Sequence, residues 1–319
     1  MAVSKLDKAS QIAIRDCMGA KPNEKVLIIT DENKKDIAEN LYYNALKLGH
    51  EALLLEMKSR DMDGEEPPKE VAELMKMFNV ILIPTTKSMT HTDARRNASE
   101  KGARCATLPG ITEEIMIKGL NADYTQIAAL TLKLKRLFEK TKIIKVQTAL
   151  GTDISLDITG RKAFASKGLF HKKGESGNLP TGETFAAPVE GKTNGVFIVD
   201  GSMSGIGKIL EPIRIEVKNG LVENVTGGAE ARKLNKIIKQ YGKPARNIAE
   251  FGIGTNHKAK LTGELLLDEK VMGTIHIAIG DNKSMGGKVN APIHLDGVVT
   301  KPNVFFDDKQ IMKNGKLLV

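Results

Sequence analysis

Lys25-Val26-Leu27-Ile28-Ile29-Thr30 is an unbroken apolar run closed by a polar residue at each end. A strand with one wet face alternates apolar and polar residues, whereas one covered on both faces does not. The run therefore reads as an inner strand of a parallel sheet. Working outward, residues 5–19 carry helical spacing through Leu6, Ile12, Ile14 and Met18. Asp31 is placed to cap a helix that runs through Leu46 and stops at Gly49. A second strand, Glu51 to Glu56, follows, and then an acidic, proline-bearing linker from Asp61 to Pro68. The alternation continues with a helix over 69–78, the strand Val80-Ile81-Leu82-Ile83-Pro84, a helix from Thr92 to Lys101, and the strand Arg104 to Leu108. Strands separated by helices imply βαβ units, so residues 1–142 read as an α/β, Rossmann-like domain with a doubly wound, mainly parallel sheet. A long helix over 123–140 leads out of it.

From 143 to 319 the pattern changes. Helices become rare, glycines frequent, and strands alternate, as in Ile154-Ser155-Leu156-Asp157-Ile158-Thr159 and Ile213-Arg214-Ile215-Glu216-Val217. Asn219-Gly220, before Leu221-Val222-Glu223-Asn224-Val225, is a two-residue hairpin signal, and Asn314-Gly315 is another. One helix, Ala229 to Tyr241, interrupts the strands. The expectation is a mostly antiparallel, partly open barrel-like β domain with few helices.

Composition narrows the function. The net charge of +9 comes from lysines spread along the chain, and aromatics are only 4%, without Trp. With no Tyr or Phe interleaved among the short basic clusters, nucleic-acid binding is not expected. Cys17 and Cys105 form no CxxC pair, which argues against a disulfide framework or a thiolate zinc site. The polar N-terminus reads as the approach to a helix, and no apolar run nears the roughly 18 residues that span a bilayer. A cytoplasmic protein without membrane contact is expected.

Candidate chemistry collects in the second half. His294 and Asp296 lie two apart in Pro292-Ile293-His294-Leu295-Asp296-Gly297, so in an extended strand both face the same way and can grip one ion. His276 sits in the strand Thr274-Ile275-His276-Ile277-Ala278-Ile279. Glu250 lies inside the apolar, glycine-rich Ala249-Glu250-Phe251-Gly252-Ile253-Gly254, where a buried carboxylate needs a cationic partner, either a basic side chain or a metal. Glu183 follows the turn Pro180-Thr181-Gly182. Carboxylate and imidazole donors without thiolate suit a catalytic Zn, Co, Mn or Fe(II) site. His91 and Arg95 follow the C-terminal end of a parallel strand, the edge where α/β sheets gather ligands, so they are candidates for substrate binding or for capping the next helix. Glu190-Gly191-Lys192-Thr193 lacks the upstream glycine of a phosphate loop, and Gly201 to Gly207 has the wrong spacing for a dinucleotide fingerprint.

Four segments together resemble the M29 metallo-aminopeptidases, the aminopeptidase T and S group: Asn178 to Glu183, Ala249 to Asn256, Gly273 to Gly280, and His294-Leu295-Asp296. The resemblance covers roughly residues 170–300. It implies a cytoplasmic, homodimeric metalloprotease, a hydrolase removing N-terminal residues from peptides. In it Glu183, Glu250, His276, His294 and Asp296 would bind two divalent ions (Zn, Co or Mn), Glu250 bridging them and Glu183 as terminal ligand, with a bridging water as nucleophile. Two departures stand against that pattern. The chain is short, and no tyrosine lies between His276 and His294, where Lys283, Ser284 and Met285 occur. The same family also resembles 2,5-dihydroxypyridine 5,6-dioxygenase, with one Fe(II) on two histidines and a carboxylate. His294 and Asp296 fit that alternative equally well. A catalytically degenerate member is the third expectation.

Overall fold

The structure, a computed structural model, describes residues 3–319. It divides into two compact units, one formed by the chain up to Ala128 with Gly168–Thr181, the other by Ala129–Lys167 with Gly182–Val319.

The first unit is a doubly wound α/β domain. Its five strands are parallel and ordered Ala52–Met57, Val26–Asp31, Val80–Ile83, Arg104–Thr107, Ser176–Asn178. All six residues of Val26–Asp31 are buried, as an inner strand requires. Leu27, Ile29, Ile81 and Ile83 pack in one cluster with Val71 and Met75 of the helix Lys69–Met75 and Ala94 and Ala98 of the helix Asp93–Glu100. Asp31 does not cap the following helix. It ends the strand and turns its carboxylate across to the next one, accepting from Asn33 N and from Thr86 N and Oγ1, the last at 2.9 Å. The helix begins only at Lys35, and Lys34 makes no side-chain cap. The expected helix over 5–19 is α-helical at Lys5–Gln11 and π-helical at Ile12–Cys17. Two elements have no counterpart in the sequence reading. One is the helix Glu113–Leu120, capped by Thr112 Oγ1 on Ile115 N; the other is the edge strand Ser176–Asn178, whose Ser-Gly-Asn has no apolar pattern.

The second unit consists of two antiparallel sheets, of eight and seven strands, sharing one core. Phe138, at the end of the helix Tyr124–Phe138, lies in that core edge-on to Phe306 with ring centroids 4.9 Å apart, and 5.9 Å from Phe251. Both expected hairpins form. Asn219 and Gly220 have φ of 49° and 73°, and Asn314 and Gly315 of 47° and 77°, the paired positive angles that Asn-Gly tolerates and that match strand twist. Among the described residues no helix is long and apolar enough to cross a membrane.

Candidate metal centre

Three adjacent antiparallel strands build the centre: Ile248–Gly254, Ile275–Gly280 and His294–Val299, with Glu183–Ala186 on the outer side of the first. The register sets Glu250 opposite Ala278 and Ala278 opposite Asp296. It also sets Gly252 opposite His276, Gly280 opposite His294, and Gly254 opposite Glu183. With side chains alternating between faces, one face carries Glu183, Glu250, His276, His294 and Asp296 among Gly252, Gly254, Ala278 and Gly280. The other face carries Phe251, Ile253, Ile275, Ile277, Ile279 and Val299, all in the core cluster. The strands are thus amphipathic in an unusual sense: large apolar residues inward, and only small residues around the polar groups on the site face.

Glu250 owes its direction to a β-bulge. The ladder shifts between Ile248 and Glu250, so Ile248 enters the core while Glu250, two residues on, points to the opposite face. Gly252 makes the matching space. A Cβ there would stand 2.0 Å from His276 Nε2, so the imidazole lies in room that only glycine leaves.

The five predicted ligands converge. Glu250 Oε1 is 3.1 Å from His276 Nε2, and Glu250 Oε2 is 3.3 Å from His294 Nε2. Asp296 Oδ2 is 3.5 Å from His294 Nε2, and Glu183 Oε2 is 3.6 Å from His276 Nε2. One donor atom each from Glu250, His294 and Asp296 fit within 4.8 Å of one another. Glu183, Glu250, His276 and Asp296 are buried; His294, with 32% of its side chain exposed, forms the wet edge. His294 Nδ1 donates to the carbonyl of Asp281 at 2.7 Å, which commits that nitrogen and turns Nε2 toward the carboxylates as the one able to give up its proton to a metal.

Two residues absent from the sequence reading complete the cluster. Lys270, buried, places Nζ 2.6 Å from Glu183 Oε1 and also contacts Glu269. Leu267-Asp268-Glu269-Lys270 reads in sequence as the polar end of a short helix, and no local signal marks Lys270 as interior. The cationic partner demanded by Glu250 is therefore imidazole, while the lysine serves Glu183.

The electrostatics follow from crowding. Burial opposes charging His276, yet the hydrogen bond to Glu250 and the charges of Glu183 and Glu250 outweigh it and raise its pKa to about 9. Burial likewise opposes charging His294, and Asp296 and Glu250 together hold it well above its usual range. Asp296 is itself drawn down to about 2 by His294, against the effect of burial. Glu269 is pushed up to about 8, first by burial and then by Glu183 and Asp296, against the pull of Lys270. Without a metal the four carboxylates of Glu183, Glu250, Glu269 and Asp296 are offset by Lys270 and by protons drawn onto His276, His294 and Glu269, and a divalent cation could take the place of the protons on the imidazoles. Donor chemistry, the committed Nδ1 of His294, the glycine cradle and the unbonded, buried His276 Nδ1 all fit a divalent metal ion.

His91 and Arg95 belong to the first unit. Thr92, not His91, caps the helix, through Oγ1 on Arg95 N at 3.2 Å. Arg95 donates to Thr90 O at 2.9 Å and to Ser176 Oγ at 3.1 Å, and His91 offers its carbonyl to Arg96.

Comparison with known proteins separates the expectations. The family model described as NicX, 2,5-dihydroxypyridine 5,6-dioxygenase, matches residues 9–319. A curated relative, the 2,5-dihydroxypyridine 5,6-dioxygenase of Pseudomonas putida (strain KT2440), is 24% identical over 205 residues, 59% of this chain and 57% of that protein's length. The solved 2,5-dihydroxypyridine dioxygenase of Pseudomonas putida KT2440 superposes with a TM-score of 0.81 at 16% identity, covering 100% of this chain and 99% of that one. Wild-type AmpT from Thermus thermophilus superposes with a TM-score of 0.70 at 16% identity, each chain 99% covered. At such identities the structural likenesses show the fold alone. The expectation of an M29 metallo-aminopeptidase, a hydrolase and protease, is therefore corrected: the family match over nearly the whole chain runs to the dioxygenase. The physical reason is that the quoted segments report a strand arrangement and a set of hard ligands. Both serve hydrolysis and oxygenation alike, so the segments carry the fold and not the reaction.

Proposed function

Because this chain belongs to the 2,5-dihydroxypyridine 5,6-dioxygenase family, we propose that it is a ring-cleaving dioxygenase acting on a dihydroxylated aromatic heterocycle at a single Fe(II). The observation that carries the reading is that Glu250 brings the two imidazoles together, with His276 Nε2 at 3.1 Å and His294 Nε2 at 3.3 Å, while Asp296 lies 3.5 Å from His294. Two imidazoles and a carboxylate are the donor set of non-haem Fe(II) oxygenases. In this reading His276, His294 and Asp296 hold the ion and Glu250 flanks it. Bound Fe(II) would supply the one-electron chemistry that lets a closed-shell ring react with O₂.

The chain's own residues do the rest. The Asp281 carbonyl keeps His294 in its ligating tautomer. Glu250 joins the two histidines through its two oxygens and stands ready, buried and ionised, to accept a proton from a substrate hydroxyl. The bulky apolar residues behind the sheet keep the ligands on a rigid support. Glu183, bonded to Lys270, is spoken for, which favours one ion over two. A cytoplasmic homodimer is part of the same reading; buried, unpaired Cys17 and Cys105 agree with a reducing compartment.

The test is anaerobic loading of chelator-stripped protein with Fe(II), followed by oxygen-electrode measurements with 2,5-dihydroxypyridine and related dihydroxylated rings. Uptake of one O₂ per ring with loss of ring absorbance is expected. Folded, iron-loaded protein that consumes no O₂ with any of them would refute the proposal.

A further inference from the structure

Lys270 is a buried ammonium inside a cluster of metal-type ligands, an arrangement that no general need for stability explains. Buried ion pairs are often no better for stability than apolar residues of similar volume. Its Nζ lies 2.6 Å from Glu183 Oε1, while Glu183 Oε2 is 3.6 Å from His276 Nε2. Glu183 therefore stands between a ligand of the proposed iron and a fixed positive charge. Glu269 contacts the same ammonium.

We propose that Lys270 is a positioning residue that limits the centre to one metal ion, its ammonium occupying the carboxylate that a second ion would require. The argument rests on the single-iron reading above. A dinuclear centre needs carboxylates with charge to spare on both sides of the pair. Glu250 is already shared between His276 and His294. Glu183 is the remaining site-face carboxylate in contact with His276, and Lys270 neutralises it. A second divalent ion near Glu183 would also face the buried Lys270, and like charges repel strongly where water is scarce. Without the ammonium, Glu183 would be left as a buried carboxylate beside an imidazole, which is half of a second site. Lys270 would thus set nuclearity in a fold whose ligand types alone permit either number.

The experiment counts ions. Chelator-stripped protein is loaded without oxygen with Fe(II), or with Mn(II) as an air-stable probe, gel-filtered, and its metal-to-chain ratio measured. Wild type should hold one ion and Lys270→Met two, and adding Glu183→Gln to Lys270→Met should return the ratio to one. A purely structural role for the lysine would not move the ratio or reverse it in the double variant. If Lys270→Met does not fold, Lys270→Gln combined with Glu269→Gln keeps a neutral hydrogen-bonded pair and frees Glu183, with the same expectation of two. Glu183→Gln alone should change the Mn(II) affinity by less than about tenfold, because its carboxylate is engaged by Lys270, whereas losing a direct support of a metal costs about 10–100-fold. Lys270 variants that still bind one ion, or a hundredfold loss in Glu183→Gln, would overturn the role of Lys270 and leave the single-iron reading intact. Wild type binding two ions, or none, would overturn both.

Discussion

At the scale of single residues, the centre depends on absences as much as on ligands. His276 reaches Glu250 because residue 252 has no side chain: a methyl there would sit 2.0 Å from Nε2 and 2.3 Å from Cε1. Gly252→Ala is therefore expected to turn the imidazole away and weaken Fe(II) or Mn(II) binding about 10–100-fold, the usual scale for disturbing a ligand's support, while leaving the protein folded. Isothermal titration with Mn(II) checks it, and unchanged affinity would show that His276 does not ligate. Asp296→Ala should go further and abolish binding, since it removes a donor and leaves His294 without one of its two carboxylate neighbours. The five candidate residues were legible as types and as neighbours of glycine in the sequence. Lys270 was not, because the run Asp268-Glu269-Lys270 looks like any solvated helix end, and its burial comes from Glu183, far away in the chain.

At the scale of elements, the loop between the His276 and His294 strands is held from outside. Glu190 accepts from Lys288 N at 2.8 Å and Asn282 Nδ2 at 2.9 Å, and pairs with Arg161, which also donates to Gly286 O at 2.8 Å. This clamp fixes the segment whose Asp281 carbonyl sets the His294 tautomer. Glu190→Gln should cost about 1.5–3 kcal/mol, the range for hydrogen bonds to a charged group, measured by urea unfolding. Partial burial works to raise the Glu190 pKa, but the Lys288 amide, Asn282 and Arg161 together hold it below the usual range. A folded-state pKa that is depressed adds stability above the unfolded value of about 4.3 and loses it as pH falls through the folded value. The difference in melting temperature between wild type and Glu190→Gln should thus be largest near neutral pH and shrink below about pH 4. A gap independent of pH would exclude the carboxylate as its cause. The bulge at Ile248–Glu250 belongs to this scale too: the unbroken alternation of a regular strand puts residues 248 and 250 on one face, and nothing in Ile-Ala-Glu announces the extra residue.

At the scale of the whole molecule, a metal that binds only the native state stabilises it by mass action, about 2.7 kcal/mol at a hundredfold excess over its Kd. For a chain of 319 residues, at about 2.1 cal/mol/K of unfolding entropy per residue, that corresponds to a rise in melting temperature of about 1.5 °C per kcal/mol. Scanning calorimetry should show the rise with Mn(II), its reversal by chelator, and its absence in Asp296→Ala; melting indifferent to the ion would argue against a built metal site. What the sequence determined by itself is the part written in local periodicity: the covered strand at 26–31, the alternation of helix and strand around it, the Asn-Gly hairpins, and a ligand set of hard donors without thiolate. Short-range sterics and hydrophobic pattern dictate those, so they can be read one window at a time. The tertiary structure alone decided the bulge that aims Glu250, the pairing of Lys270 with Glu183, and the turning of Asp31 away from its helix. Each depends on a partner distant in the chain, and burial, which fixes charge and therefore chemistry, exists only once the strands have come together.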